Sequence, residues 1–535
     1  MPQRGDDVFI NHTIATDTTA TINNLYVSGT LSFNGNYTLN IRGDLQATGS
    51  VNMSSVSATI NLFGVNNYIV NYTTSATSTI SYSRLGDQDL MYLPYANLIL
   101  TGSGKKNITT DLTINGTTSI TASAVMYKKT STGKLTFIGQ LSGSGIAAAF
   151  CGLDNSINAD VELRGGISYD CRFTTMNFGS GNLYFNGTQV LSFGGGSAIN
   201  NYNTILIKGT SIVTLDGGNT PWVIKGSLNG ETSSSTFRVV GLLYQGTSIE
   251  PMTTGVYSYN YGGASTIGYV FNGNYTLPYT SYGSLFIQGT GIKTLGGDTT
   301  LSGGLTVSSG SLELSSSAFT VSGATTFTDI SSNITKNSST GYTTFIGVVD
   351  ISSPILIGYT NYFSFNNSGA TIEFRNGLLF DVRGCTPTFA NGTTIKFTTN
   401  NQVIDSGGNV ASVWGCNILI SGAITVTNQN WGCGITGTLN GDNASSQFNN
   451  IVSFNYQNSQ QPMQTGILSS NNSGSKNAFI YGLSGNQDIE PGNYYNLILN
   501  GNGVKRLLGN VSVKGTYTLT NPATLNSNGF ALTNP

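Results

Sequence analysis

Charge is what this chain has least of. Only 9% of its 535 residues are charged, against about 25% in an ordinary soluble protein. A net charge of −2, with 22 basic residues thinly spread, offers no electrostatic footprint for nucleic acid and nothing to hold an anionic membrane surface. Histidine is almost missing, His12 being the single one, and the five cysteines (Cys151, Cys171, Cys385, Cys416 and Cys433) form no CxxC pair. A Cys/His zinc site therefore has little to work with, and no metal or cofactor is expected. No apolar run reaches the ~18 residues of a membrane-spanning helix. The opening Met1-Pro-Gln-Arg-Gly-Asp-Asp7 lacks the basic-then-apolar order of a secretory signal. A chain made and folded in the cytoplasm is expected, with its cysteines as buried, reduced thiols. A sustained 3.6-residue apolar stripe is missing too, so long helices are not expected.

Gly, Ser, Thr and Asn fill the space that charged residues usually take. With 27 Tyr and 25 Phe, and abundant Val, Ile and Leu, the composition calls for a packed core rather than disorder. The apolar residues fall in short alternating runs such as Leu112-Thr-Ile114 and Val511-Ser-Val513, broken by Gly or Asn. That is β-strand punctuation. The chain also repeats itself. Trp222-Val-Ile-Lys-Gly-Ser-Leu-Asn-Gly-Glu-Thr-Ser-Ser-Ser-Thr-Phe237 resembles Gly434-Ile-Thr-Gly-Thr-Leu-Asn-Gly-Asp-Asn-Ala-Ser-Ser-Gln-Phe448, and both lead to a Pro-Met-x-Thr-Gly turn, Pro251–Gly255 and Pro462–Gly466. Gly226 and Gly437, Phe237 and Phe448, and Pro251 and Pro462 all share an offset of 211 residues. Such long-period similarity is the mark of stacked units, none of which buries its apolar face alone.

A second motif recurs more often: a strand, a Gly/Asn turn, usually a Gln, then Tyr-x-x-Leu-x-Ile and Gly-x-Gly-x-Lys. Its fullest copy is Phe479–Ile489 with Tyr495–Lys505; an earlier one is Ile267–Leu277 with Tyr282–Lys293. Others begin near Ile80, Leu183 and Ile395. The spacings suit a coil of roughly 21 residues, two or three strands and tight corners. Thr-Phe-Ile-Gly recurs at Thr136–Gly139 and Thr344–Gly347. The fold class expected is all-β, a parallel β-helix (β-solenoid) with internally duplicated rungs. Four regions are read: N-terminal coils over 1–75, a first repeat region over 76–220, a second with inserted rungs over 221–432, and a third with C-terminal rungs over 433–535. Coils of this kind leave open strand edges at their ends, and no amphipathic capping helix is evident, so self-assembly or capping by a partner is expected.

Several residue groups are candidates for chemistry. Gly102-Ser-Gly-Lys105-Lys106 looks like a phosphate loop, but lacks the full spacing and recurs at Gly289–Lys293 and Gly501–Lys505, as a corner would. Arg42-Gly43-Asp44 is either an integrin-type tripeptide or a strand and corner. Glycan-cleaving β-helices need paired carboxylates, and two sets could supply them: Asp87 with Asp89, and Asp154, Asp160, Glu162 and Asp170, which lie where the repeat is weakest, beside Cys151 and Cys171. Glu231 aligns with Asp442 and reads as a corner residue. Tyr257-Ser-Tyr259-Asn-Tyr261 could stack on sugar rings, or be packing or subunit contacts. Catalysis is the weaker reading, and no catalytic residue is assigned.

Phe479–Leu519, and less fully Tyr282–Val307, resemble a repeat of large adhesin-like surface proteins of Bacteroidetes-type bacteria and of virion proteins of phages infecting such hosts. The pattern is Gly-x-x-Gln-x-(Val/Ile)-Pro, Tyr-x-x-Leu-x-(Ile/Leu)-x-Gly-x-Gly-x-Lys-x-Leu, then Val-x-Val-x-Gly-x-Leu. This chain departs from it with Glu490 before Pro491 and with Tyr517 in the last strand. The opening Gly5–Ile10 and Leu25–Phe33 is also similar to the start of a G8-type domain. The resemblance implies a right-handed parallel β-helix and a display or adhesion role, and it carries over no catalytic residues. It implies a non-enzymatic structural protein of a bacteriophage virion, either a fibre, a tail-associated or a capsid-decorating component, with itself (fibres of this kind are often trimers), other virion proteins and a host surface glycan as partners. A bacterial surface or secreted adhesin module and a glycan-degrading, tailspike-like enzyme are the alternatives. The expected location is the virion, or else the bacterial surface.

Overall fold

A computed structural model describes residues 5–54, 56–145, 152–170, 177–194, 199–200, 204–216, 222–239, 241–245, 251–258, 266–277, 281–329, 331–351, 363–365, 369–380, 388–405, 413–429, 434–474 and 476–534. Cys151, Cys171, Cys385, Cys433, Tyr259 and Tyr261 lie outside the described residues. Among the described residues there is no helix, and every strand pairing is parallel. The strands stack as a β-solenoid of about 21 turns. The chain falls into two compact units, Met1–Ser265 and Thr266–Pro535.

In the first unit one turn reads Asn182–Asn186, Gln189–Gly194 and Ile199–Asn200 before Thr204–Lys208 returns onto the first of these, Asn182 against Thr204. In the second, Ser284–Gln288, Ile292–Leu295 and Thr299–Leu301 are closed by Leu305–Val307, Leu285 against Leu305. Three short strands per turn make three faces, and strand alternation sends every second side chain inward. Equivalent inward positions form ladders: Leu39, Ile60, Ile80 and Leu98 in the first unit, and Phe345, Phe374 and Phe397 in the second, with ring centroids 5.6 and 6.0 Å apart. All of these are buried. Removing one such side chain costs about 2–5 kcal/mol, so the ladders hold the stack. Outward ladders are polar. Asn61 Nδ2 donates to Asn40 Oδ1 at 2.7 Å, and Asn40 Nδ2 to Thr21 Oγ1 at 3.2 Å. Uncharged amides and hydroxyls can pair with copies of themselves a few ångströms away, whereas like charges there would repel, which accounts for the scarcity of charge.

A constant coil of about 21 residues does not hold. Turns run from 17 residues, Val8 against Leu25, to 29, Val349 against Leu378, because corners take insertions that the ladders do not. In the recurring strand–turn–Tyr motif, each copy is two successive turns of one face. Ile80 lies against Leu98, Leu183 against Ile205, Ile267 against Leu285, Ile395 against Ile418 and Phe479 against Leu497.

Sheets end and begin at defined places. In the first unit the opening six-stranded sheet ends with Tyr68–Thr74, a branch of the 15-stranded sheet begins at Gln88–Asp89, and a new sheet begins at Leu112–Ile114. In the second, sheets end at Leu439–Gly441 and Ile467–Ser469, and new ones begin at Gln487–Ile489 and Gly492–Tyr494. The Pro-Met-x-Thr-Gly turns precede such handovers, and they match bond for bond. Met252 N–H donates to Leu228 O and Met463 N–H to Leu439 O, both at 2.7 Å. Thr254 N–H meets Asn229 Oδ1 at 2.6 Å, and Thr465 N–H meets Asn440 Oδ1 at 2.7 Å. Both methionines adopt the left-handed conformation, φ 59° and 53°. The 211-residue offset is thus a repeat of structure as well as of sequence.

Candidate functional site

The strand Asp160–Leu163 lies between Lys134–Phe137 and Asn182–Asn186. Register puts Thr136, Glu162 and Tyr184 in one outward row and Lys134, Asp160 and Asn182 in the next but one. The Glu162 side chain is 7% exposed and is gripped by Lys134, by Arg164 Nε at 2.6 Å and by Asn186 Nδ2 at 2.9 Å. Burial pushes its carboxyl up, but the hydrogen bonds from Lys134, Asn186 and Arg164, with the Lys134 charge, bring it down to about 2. Lys134 Nζ also sits 4.6 Å from the Tyr184 ring centroid, with Lys208 Nζ at 5.4 Å. Asp160 accepts Asn182 N–H at 2.9 Å and Tyr184 Oη at 3.3 Å. Asp154, almost fully buried, accepts Ser156 N–H and Asn177 Nδ2, both at 3.1 Å. Asp170 stands in a different sheet, opposite Ser144. Asp87 accepts Lys105 N–H at 2.8 Å. Asp89 accepts Asn107 Nδ2 at 2.7 Å and Lys129 Nζ at 2.9 Å, and the Lys129 bond leads in lowering its pKa.

Glycoside cleavage by a carboxylate pair requires one member held protonated. Glu162 and Asp89 are held in the opposite state. The arrangement around Glu162 also recurs. Glu373 and Arg375 stand 211 residues beyond Glu162 and Arg164, with Arg375 Nε 2.7 Å from Glu373 Oε1 and Thr398 Oγ1 at 2.5 Å. Burial raises the Glu373 carboxyl, and the Arg375 and Thr398 hydrogen bonds outweigh it. The segment where the repeat looked weakest therefore belongs to the repeat, and Glu162 is one of its rung-to-rung ties. Val161-Glu-Leu-Arg-Gly165 against Ile372-Glu-Phe-Arg-Asn376 carried that signal in the sequence.

The lysine of Gly-x-Gly-x-Lys turns inward. Lys106, Lys293 and Lys505 are fully buried, spaced as Tyr82, Tyr269 and Tyr481 are. Lys106 Nζ donates to Arg84 O, Gly86 O and Ser103 O at 2.8, 3.0 and 3.1 Å. Lys505 Nζ donates to Leu483 O at 2.7, Gln487 Oε1 at 3.1 and Gly485 O at 3.3 Å. Three ammonium protons meet three acceptors, so each buried ammonium is fully hydrogen-bonded within its corner. Burial lowers the pKa of both to about 8, with the Arg84 charge adding to it at Lys106. The glycines are needed because a Cβ on Gly104 or Gly503 would meet the preceding corner's backbone at 2.5 Å. The corner reading of this motif holds.

Arg42-Gly43-Asp44 is likewise a corner. Asp44 Oδ1 accepts Val65 N–H at 3.0 Å and Asn66 N–H at 2.9 Å, and Arg42 lies over the Phe63 ring. Glu231 and Asp442 cap equivalent corners, accepting Gly209 and Gly422 N–H at 2.8 and 2.7 Å. Tyr257 is 5% exposed and packs 6.4 Å from Phe237, so it is core and not a sugar platform.

Two features were not visible in sequence. Buried tyrosines pair through their hydroxyls, Tyr82 with Tyr95 at 2.7 Å and Tyr481 with Tyr494 at 2.9 Å. Glu490 stands beside the second pair, and burial raises its carboxyl to about 7. Among the described residues, no group of three or more His, Cys, Asp or Glu is placed to hold a metal ion, and no helix is long and apolar enough to cross a membrane. Compared with known proteins, the chain matches no family model, no curated protein and no solved structure.

Proposed function

We propose that this chain is a non-enzymatic structural protein of a bacteriophage virion, a fibre, tail-associated or capsid-decorating component with a host-attachment or display role. One observation carries the reading. The charged residues best placed for chemistry recur at matched positions and tie one turn to the next, as Glu162–Arg164 and Glu373–Arg375 do. A carboxylate held near pKa 2 by its own lysine and arginine has no proton to give a leaving group. The resemblance of Phe479–Leu519 to repeats of phage virion and surface proteins supplies the setting, and the partners that go with it are further copies of the chain, other virion proteins and a host surface glycan. Purified protein incubated with host surface polysaccharide tests the non-enzymatic half. Binding without release of oligosaccharide is expected. Release that disappears in Glu162→Gln would overturn it. The neighbouring genes test the setting: capsid, portal and tail genes are expected, whereas secretion and sorting genes would favour the bacterial adhesin.

A further inference from the structure

Two tyrosine clamps in this molecule are built alike, and they differ at one chemically decisive position. Tyr82, Met91, Tyr95 and Lys106 correspond, with a constant offset of 399 residues, to Tyr481, Glu490, Tyr494 and Lys505. In the first clamp Met91 N–H donates to Tyr82 Oη at 2.9 Å and Tyr95 Oη donates to Met91 O at 2.7 Å. In the second, Glu490 N–H donates to Tyr481 Oη at 3.0 Å and Tyr494 Oη to Glu490 O at 2.7 Å. All four tyrosines are fully buried. Met91 is buried as well, at 7% exposure, so its site suits an apolar side chain. At the matching site stands a carboxyl whose Oε2 is buried and meets no hydrogen-bond donor.

The ionisable groups facing that carboxyl are the hydroxyls of Tyr481 and Tyr494, whose own ionisation its charge opposes. Among the described residues no salt bridge engages it, and burial is what raises its carboxyl. Asp488 and Arg506, close in sequence and register, are engaged with each other at 2.9 Å, and Lys505 is occupied by its three acceptors. The clamp fixes the corner between Gln487–Ile489 and Gly492–Tyr494, the first strands of the two three-stranded sheets that close the second unit.

We propose that Glu490 is a protonation-controlled latch: the neutral carboxyl lets the Tyr481–Tyr494 clamp close over it, and the charged form favours opening of the corner at which the last two sheets begin. The direction follows from linkage. The closed form holds its proton up to about pH 7, whereas a solvated glutamate loses it near 4.5. The closed form therefore has its full advantage below about pH 4.5, loses it progressively as pH rises, and has none left to lose above about 7. Because the site is partly solvated, the expected rise in opening is on the order of tenfold between pH 5 and 8, short of the limit that the full shift would give.

The test is hydrogen exchange of the full chain at pH 5 and 8, corrected for the intrinsic rates of unfolded peptide. Peptides covering residues 481–499 are compared with those covering 82–100 in the same molecule. Opening at 481–499 is expected to rise on the order of tenfold while 82–100 stays flat, and Glu490→Gln and Glu490→Met should abolish the rise. Equal behaviour of the two clamps, or a pH response that survives in either variant, would overturn the proposal. Should neither variant fold, the wild-type comparison of the two clamps decides by itself.

Discussion

Replacing Lys106 with Met removes the ammonium from inside the first tyrosine–lysine corner and keeps the length and most of the apolar volume of the side chain. Three carbonyl oxygens, on Arg84, Gly86 and Ser103, lose the ammonium as a donor; Arg84 O and Ser103 O keep the backbone N–H of Ser103 and Gly86 at 3.3 and 3.2 Å. Leaving Gly86 O without a partner costs about 1–3 kcal/mol and each of the other two lost bonds about 1 kcal/mol, so the gross loss is about 4 kcal/mol. Relief of the ammonium's own desolvation works against this. The fall in its pKa to about 8 corresponds to about 2 kcal/mol once solvent screening is allowed for. A net destabilisation of about 2 kcal/mol is expected, confined to neighbouring turns because each turn of a solenoid contacts only its neighbours. Hydrogen exchange reads this locally. The amides of Gly86 and Leu90, which bond to Ser103 O and Asn107 O, should open at least about tenfold more often in Lys106→Met. Lys105→Met is the control: Lys105 Nζ lies over the Tyr127 ring at 3.8 Å, on the outside, and its loss should change exchange by less than about fivefold. Unchanged exchange in Lys106→Met would refute the structural role of this lysine. Loss of phosphate or nucleotide binding in Lys106→Met, with the corner intact, would restore the phosphate-loop reading.

Three further outcomes are expected. Glu162→Gln should lower stability by about 1–2 kcal/mol at pH 7, the shift being discounted for its half-exposed partners. The Glu162 carboxyl is depressed from 4.5 to about 2, so the deficit should be constant above about pH 4.5 and shrink as pH falls toward 2. A deficit that grows on acidification would contradict the ion-pair account. Gly466→Ala should cost about 2–3 kcal/mol, because φ is 124° and a Cβ would meet Ser446 O at 2.6 Å and Met463 Cε at 2.7 Å. Gly474→Ala, with open space around it, should be nearly silent in the same melting experiment. In sedimentation the full chain should associate with itself; a stable monomer at micromolar concentration would contradict the expected self-assembly.

Much of the fold was legible because a solenoid writes its structure into sequence locally. Alternation in Leu112-Thr-Ile114 gives a strand with Leu112 and Ile114 inward, and the 211-residue offset survives as matched hydrogen bonds. The Gly-x-Gly-x-Lys corner was legible for the same reason: a motif present in each copy answers to a shared geometric need. Turn length was not, since insertions at corners leave no periodic trace while the ladder realigns around them, as between Val349 and Leu378. Glu162 was read as lying where the repeat is weakest because its surroundings diverge from the repeat while the Glu-x-Arg pair persists. The tyrosine hydroxyl pairs were hidden because their partners are 13 residues apart and meet only across the interior of one turn. Glu490 stood out in sequence as a departure from the repeat, but its burial depends on a clamp that pattern alone cannot reveal.

The claim that this β-solenoid is a structural part of a phage particle is tested most directly by peptide mass mapping of purified particles from cells that carry the gene, beside the surface fraction of the same cells. The expected result is peptides spanning both Met1–Ser265 and Thr266–Pro535 in the particles, at a copy number comparable to other particle proteins. Peptides found on the cell surface and missing from the particles would contradict it.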